Sequence, residues 1–249
     1  MLPMIKRLYS FGGVVFSIES PVSLGLDSRL EAFSIPYAKK IDFTYRIIPC
    51  ADSESNFQIS RQGDLLKVNI REDLIDKIVL GNLLSNASGA YLLNERRRFI
   101  LHASYVLVNG EAILFTAASQ TGKSTQANYW KQAKKAEIVN EDRAIISWEN
   151  GQYYANGCWA MGSAAICKNC SVPIRAIVLL GQGKENSCRI PAPKEILTHL
   201  LPQTTFDQSN PFARIGIVDM VSEMIGKVPI VAYDCIHHVS AVEALERYI

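Results

Sequence analysis

Short apolar runs separated by glycine-containing turns recur along the chain and predict β-hairpins. Residues 105–108 and 112–115 are two such runs, and Asn109-Gly110 stands between them. Asn-Gly suits a two-residue type I′ turn, because both central residues of that turn take positive φ. The same logic applies to 145–148 and 152–154 around Asn150-Gly151, and to two alternating runs in 56–70 around Arg61-Gln62-Gly63-Asp64. Residues 39–48 alternate and are rich in β-branched and aromatic side chains, which predicts another strand. Residues 11–18 read as a strand after a turn. Together these predict a small N-terminal sheet.

Elsewhere the period changes to that of a helix. Over 73–95 the apolar positions Leu74, Ile75, Ile78, Val79, Leu83, Leu84, Ala87, Tyr91 and Leu92 fall at helical spacing, with a break expected near Gly81 or Gly89. The basic end, Arg96-Arg97-Arg98, suits the negative pole of a helix. It reads either as a solvated helix end or as a phosphate- or substrate-binding group. Further on, 175–180 and 228–233 read as strands, and 191–201, 212–225 and 240–248 as helices. Pro191 opens the first of these helices. Mixed strands and helices predict an α/β (α+β) chain with a mixed sheet. The expected division is a β-rich region plus helix over 1–98 and a core over 99–249.

The strand at 112–115 runs into Ala117-Ala118-Ser119-Gln120-Thr121-Gly122-Lys123-Ser124-Thr125, and a polar, Ala-rich helix is predicted over 125–136. Thr-Gly-Lys-Ser-Thr between a strand and a helix is the core of a phosphate-binding P-loop. Gly122 allows main-chain N–H groups to turn toward phosphate oxygens, and Lys123 places a charge beside the outer phosphates. The Ser124 hydroxyl stands where Mg²⁺ would be ligated. Ala117 occupies the position of the usual first glycine, and Gln120 that of another glycine in glycine-rich variants. These departures leave open a loop that no longer binds nucleotide.

His102 precedes the hairpin, the loop ends it, and Asn140-Glu141-Asp142-Arg143 follows the loop helix. In this order the chain resembles the catalytic domain of HPr kinase/phosphorylase and its smaller relatives, related in fold to ATP-dependent phosphoenolpyruvate carboxykinase. His102 matches that family's strand histidine, Gly122, Lys123 and Ser124 its loop, and Glu141 and Asp142 its acid pair, with Glu in place of the usual first Asp. The resemblance continues more weakly through Gly157-Cys158-Trp159-Ala160-Met161-Gly162 and the segment 171–180. It implies that 99–249 is a P-loop kinase core.

What the resemblance implies is an ATP-dependent, Mg²⁺-requiring transfer of phosphate to a hydroxyl, Ser or Thr of a peptide or small protein. His102, Lys123, Glu141 and Asp142 would be catalytic. Residues 117–125 would hold the nucleotide, and Ser124 with Asp142 the metal. Glu141 would act as base and Asp142 on the metal side. A homo-oligomer fits the family as well. Two other readings stand beside this one: a nucleotide-dependent binding module without transfer, and a carboxykinase-type lyase, for which Arg189 and Arg214 are the candidate dicarboxylate ligands. The loop 157–162 either covers the substrate with Trp159 or simply packs it.

Composition narrows the remaining choices. A formal charge of +2 in 249 residues argues against nucleic acid or an anionic membrane as partner. The first residues lack the apolar core of a signal peptide, and 78–93 is interrupted by Asn82, Asn86 and Ser88. The expectation is a cytoplasmic chain that does not span a membrane, with its 6 cysteines reduced. Cys167 and Cys170 form one C-x-x-C, for which zinc would need further ligands from His199, His237 or His238. Without them the pair is two small apolar residues before a strand.

Overall fold

The computed structural model describes residues 3–25, 28–51, 57–163, 165–206 and 211–249. Met1, Leu2 and Asn56 lie outside the described residues. The N-terminal sheet has six strands: β1 (Ile5–Phe11), β2 (Val14–Ser20), β3 (Ser34–Ile35), β4 (Phe43–Cys50), β5 (Phe57–Gln62) and β6 (Leu65–Arg71), in the order β3-β1-β2-β4-β6-β5. The run at 11–18 is a turn followed by a strand, as expected, with β2 starting at Val14. Gly12 (φ 56) and Gly13 (φ 76) join β1 to β2. The strand expected over 39–48 starts at Phe43 and extends to Cys50.

The helix expected over 73–95 is divided. A 3₁₀ segment (Glu72–Lys77) leads to α1 (Leu80–Asn86) and α2 (Gly89–Glu95). The break falls at Gly89, one of the two positions expected, and only glycine fits there: a Cβ on Gly89 would lie 2.5 Å from the Leu84 carbonyl oxygen and 3.0 Å from Trp159. Apolar spacing carried the helical signal across both pieces because each buries leucines, Leu83 and Leu84 in one and Leu92 and Leu93 in the other.

The larger sheet contains β7 (Arg98–Val108), β8 (Glu111–Thr116), β9 (Glu137–Asn140), β10 (Arg143–Glu149), β11 (Gln152–Asn156), β12 (Ser171–Gln182), β13 (Ser187–Arg189), β14 (Thr204–Thr205) and β15 (Ile230–Cys235). Its main order is β11-β10-β7-β8-β12-β15-β13, with β9 and β14 also paired to β7. Both Asn-Gly turns take the expected form, with φ 52 and 84 at Asn109-Gly110 and φ 50 and 85 at Asn150-Gly151. Strands β8, β12 and β15 are mutually parallel.

Strand alternation sends side chains to opposite faces. Ala112 and Leu114 of β8 join one core with Ile196 and Leu200 of α4 (Pro193–Leu200) and Ile217 and Val221 of α5 (Pro211–Met224). Ile113 and Phe115 join another with Trp130 of α3 (Lys123–Lys134) and Val242 and Leu245 of α6 (Ala241–Glu246). A mixed sheet is thus covered on both faces, the α/β arrangement expected. A third core unites the N-terminal sheet, α1 and α2 with Ile100, Ile145, Cys158 and Trp159.

The three arginines after α2 are all paired, Arg97 at the solvated surface and Arg96 and Arg98 partly buried. Arg96 lies 4.3 Å over the Phe43 ring and bonds Asp42, Arg97 bonds Glu223, and Arg98 bonds the Gly12 carbonyl and Glu149. Arg98, on β7, ties the larger sheet to the β1–β2 turn. Among the described residues no helix is long and apolar enough to cross a membrane.

Candidate functional site

The site forms where β7 changes partners. On one side its C-terminal half pairs with β9 and its N-terminal half with β10, Tyr105 facing Asn140 and Arg143 facing His102. Glu141-Asp142 is the interruption between these two pieces. Asn140 holds that interruption. Its fully buried side chain accepts the N–H groups of Asp142 and Arg143, both at 2.9 Å, through Oδ1. Its Nδ2 donates to the carbonyls of Ala160 at 2.9 Å and Cys158 at 3.3 Å. Ser104 donates to the Glu141 carbonyl at 2.8 Å, and the Ala103 N–H to that of Asp142 at 3.0 Å. Interruptions of this kind re-aim side chains beside functional sites.

On the other side of β7, β8 ends at Thr116 opposite Ala103 and β14 begins opposite Leu101. His102 lies at that handover. Its Nε2 is 3.1 Å from Asp142 Oδ1, and its Nδ1 meets the Gln203 side-chain amide at 3.0 Å. Arg143 reaches the other Asp142 oxygen at 3.2 Å. The hydrogen bond from His102, outweighing the opposing effect of partial burial and joined by Arg143 and Lys123, holds the Asp142 carboxyl below its ordinary value. His102 and Asp142 therefore stand together. Glu141 and Asp142 both lie against Gly162, where an added Cβ would lie 3.0 Å from Glu141 Oε1 and 3.2 Å from Asp142 Cβ.

The loop leaves β8 at the same place. Ala117 is buried in the core with Phe115 and Trp130, so its methyl group occupies packed space where the motif has glycine. Ala118, Ser119 and Gln120 are exposed, and Gln120 adopts φ 66, the conformation for which glycine is usual. Gly122 takes φ 112 as the residue before α3, and an added Cβ there would meet nothing within 4 Å. Lys123 is 8% exposed, and its ammonium donates to the carbonyls of Ala117 at 3.0 Å and Ala118 at 3.2 Å. Burial pushes the Lys123 ammonium down, and Asp142 counters that effect. Ser124 is exposed and Thr125 half-buried on the first turn of α3, which starts two residues before the position expected from sequence. First-turn N–H groups of a helix lack intrahelical partners, so the loop presents main-chain donors as well as one ammonium.

The lyase candidates are not assembled here. Arg189 pairs with Glu195 on the surface at 2.8 Å, and Arg214 lines a separate cleft with Pro202 and Phe206. Cys167 donates to the Cys158 carbonyl and Cys170 receives the Tyr105 hydroxyl at 3.5 Å. Among the described residues no three His, Cys, Asp or Glu side chains are grouped as a metal would require. Trp159 is buried against Phe11 and Phe16 and donates to Ser85 at 3.2 Å, so it packs rather than covering a substrate.

Two contributors had no role assigned from sequence. Asn140 sat in view before Glu141-Asp142, and an Asn ahead of two polar residues is a turn signal. Gln203 comes from a segment that only the fold brings close to His102.

No family model matches the chain, and no curated protein matches it. Among solved structures the chain has a distant similarity to the Hpr(Ser) kinase/phosphatase from Coxiella burnetii, at 15% identity and a TM-score of 0.36, over 59% of this chain and 93% of that one.

Proposed function

We propose that the chain is a Mg²⁺-dependent kinase that passes the terminal phosphoryl group of ATP to a hydroxyl, Ser or Thr of a peptide or small protein. The observation that carries this reading is the meeting of two elements at β7: His102 holds Asp142 at 3.1 Å, and β8, which leads into the Lys123 loop, ends opposite the adjacent Ala103. Phosphoryl transfer asks a protein mainly for placement and charge neutralisation, and those are the properties this arrangement has.

The residues fit a metal-bound triphosphate. Space is open beside Gly122, Ser124 is exposed at the start of α3, and Asp142 is held as an anion by His102 and Arg143. When bound, Mg²⁺-ATP would supply the transferable group and a neutralising cation. Residues 117–125 would cradle it, with Ser124 and Asp142 as the metal-side oxygens. Lys123 would release the Ala117 and Ala118 carbonyls and turn toward the outer phosphates. Glu141, beside Gly162, would accept the proton of the acceptor hydroxyl, and Gly162 leaves room for it.

Replacing Lys123 by alanine is expected to cost on the order of 2.7–4 kcal/mol of transition-state stabilisation, or roughly 100–1000-fold in rate. Turnover close to wild type, with peptides and ATP followed by mass spectrometry, would sink the assignment. One observation favours a second reading, a nucleotide-dependent binding module. The Lys123 ammonium bonds its own loop, and Ala117 fills the glycine position. Nucleotide binding without transfer to any acceptor would select that reading.

A further inference from the structure

The loop borders a cleft of ≈ 350 Å³ whose far wall the kinase assignment does not use. The cleft lies at the carboxyl ends of the parallel strands, where Leu180 and Gln182 end β12 and Cys235 ends β15. Ligands of open α/β sheets bind in crevices at those ends. Gln120, Thr121 and Gly122 form the near side, so a group held by the loop continues directly into this space. The Gln182 side chain donates to the Thr121 carbonyl at 3.3 Å, which ties the wall to the loop.

Two features of the wall point to a planar ligand with a hydrogen-bond donor. Tyr129 on α3 and His237 after β15 both line the cleft, their ring centroids 5.9 Å apart, and aromatic faces are where bases stack. Gln126, one helical turn before, also lines it and is only 2% exposed. Its Nε2 contacts Cys235 Sγ at 3.1 Å, and its Oε1 has no partner. A buried amide oxygen without a donor is costly and rare in folded proteins. That oxygen is buried, and a turn of the Gln126 amide into the cleft would let an arriving N–H group satisfy it.

We propose that this cleft takes the base of a purine nucleotide carrying an exocyclic amino group, adenine above all, with Gln126 as the residue that reads the amine and Tyr129 as the stacking face. The inference rests on the loop being a triphosphate cradle. It goes further in naming which end of the nucleotide sets selectivity.

The test is calorimetric binding at fixed Mg²⁺ of ATP, of purine riboside triphosphate, which lacks the amine, and of inorganic tripolyphosphate. Wild-type protein is expected to bind ATP about tenfold tighter than purine riboside triphosphate, and both nucleotides tighter than tripolyphosphate. Gln126→Leu should erase the preference for ATP over purine riboside triphosphate and leave tripolyphosphate unchanged. Tyr129→Ala should weaken both nucleotides and not tripolyphosphate. Equal binding of the two nucleotides to wild type overturns the role of Gln126. Tripolyphosphate binding as tight as ATP overturns the base cleft while the loop reading stands. Absence of all three overturns the loop reading and this inference with it. The wild-type comparison decides even if Gln126→Leu fails to fold, which a thermal melt would reveal.

Discussion

Replacing Asn140 by alanine removes a side chain that makes four hydrogen bonds at a fully buried position. At about 1 kcal/mol net for each bond the upper figure is about 4 kcal/mol, and groups left buried without a partner would add to it. One local fact reduces it. The Cys158 carbonyl keeps the Cys167 thiol as donor. The expected loss is therefore about 3 kcal/mol. At roughly 2–4 °C per kcal/mol for a chain of this size, the melting temperature should fall by roughly 6–12 °C. Urea unfolding and thermal melts would measure it. Asn86→Ala is the control, since Asn86 makes one exposed bond to the Asn82 carbonyl, and it should cost under about 0.5 kcal/mol. A loss under about 1 kcal/mol for Asn140→Ala, or one equal to the control, would refute the claim that Asn140 holds the interruption between β9 and β10.

Three further outcomes follow from the geometry. Burial opposes ionisation of Asp42, but the Val15 N–H, Arg96 and Lys40 outweigh it and hold the carboxyl below its ordinary value. A depressed carboxyl stabilises the fold fully above the unfolded-state value near ~3.9 and loses that contribution as pH falls through the folded value. The stability gap between wild type and Asp42→Asn should therefore be constant near neutrality and close below about pH 4; a gap that widens in acid contradicts this. Gln120→Gly relieves a left-handed conformation at φ 66 and, after the extra unfolded-state freedom of glycine, should stabilise by about 0.5 kcal/mol; a melt showing marked destabilisation refutes it. Gly162→Ala would press on Glu141 and Asp142 at 3.0–3.2 Å, and phosphoryl transfer should fall roughly tenfold with stability nearly unchanged; unaltered kinetics would remove Gly162 from the site.

The hairpins were readable because Asn109-Gly110 and Asn150-Gly151 carry their turn chemistry locally, and the loop because Gly122-Lys123-Ser124 sits between a strand and a helix. What lay beyond local reading depends on distant pairing. Nothing adjacent to His102 says that it meets Asp142 and Gln203; that follows from β10 and β14 docking on β7. The break in the segment 73–95 falls at Gly89 as its glycine signals, but the close approach of Trp159 to that glycine is visible only in the fold. The cleft beside the loop draws on Gln126, Gln182 and His237, which no spacing rule connects. Arg96, Arg97 and Arg98 looked like a charge run because a one-dimensional reading could not see Asp42, Glu149 and Glu223 waiting for them.

The segment that carries Gly162 against the carboxylates is anchored by an indole sunk in the front half of the chain. Trp159 lies 5.2 Å from the Phe11 ring, at 2% exposure. Stripping away the first two strands would uncover an apolar side chain worth on the order of 4–6 kcal/mol of burial. The wall beside Glu141 would lose its footing at the same stroke. Trimming the front of the chain to obtain a minimal phosphate-binding fragment would therefore disturb the carboxylates it was meant to isolate, and a dead fragment would say nothing about the loop.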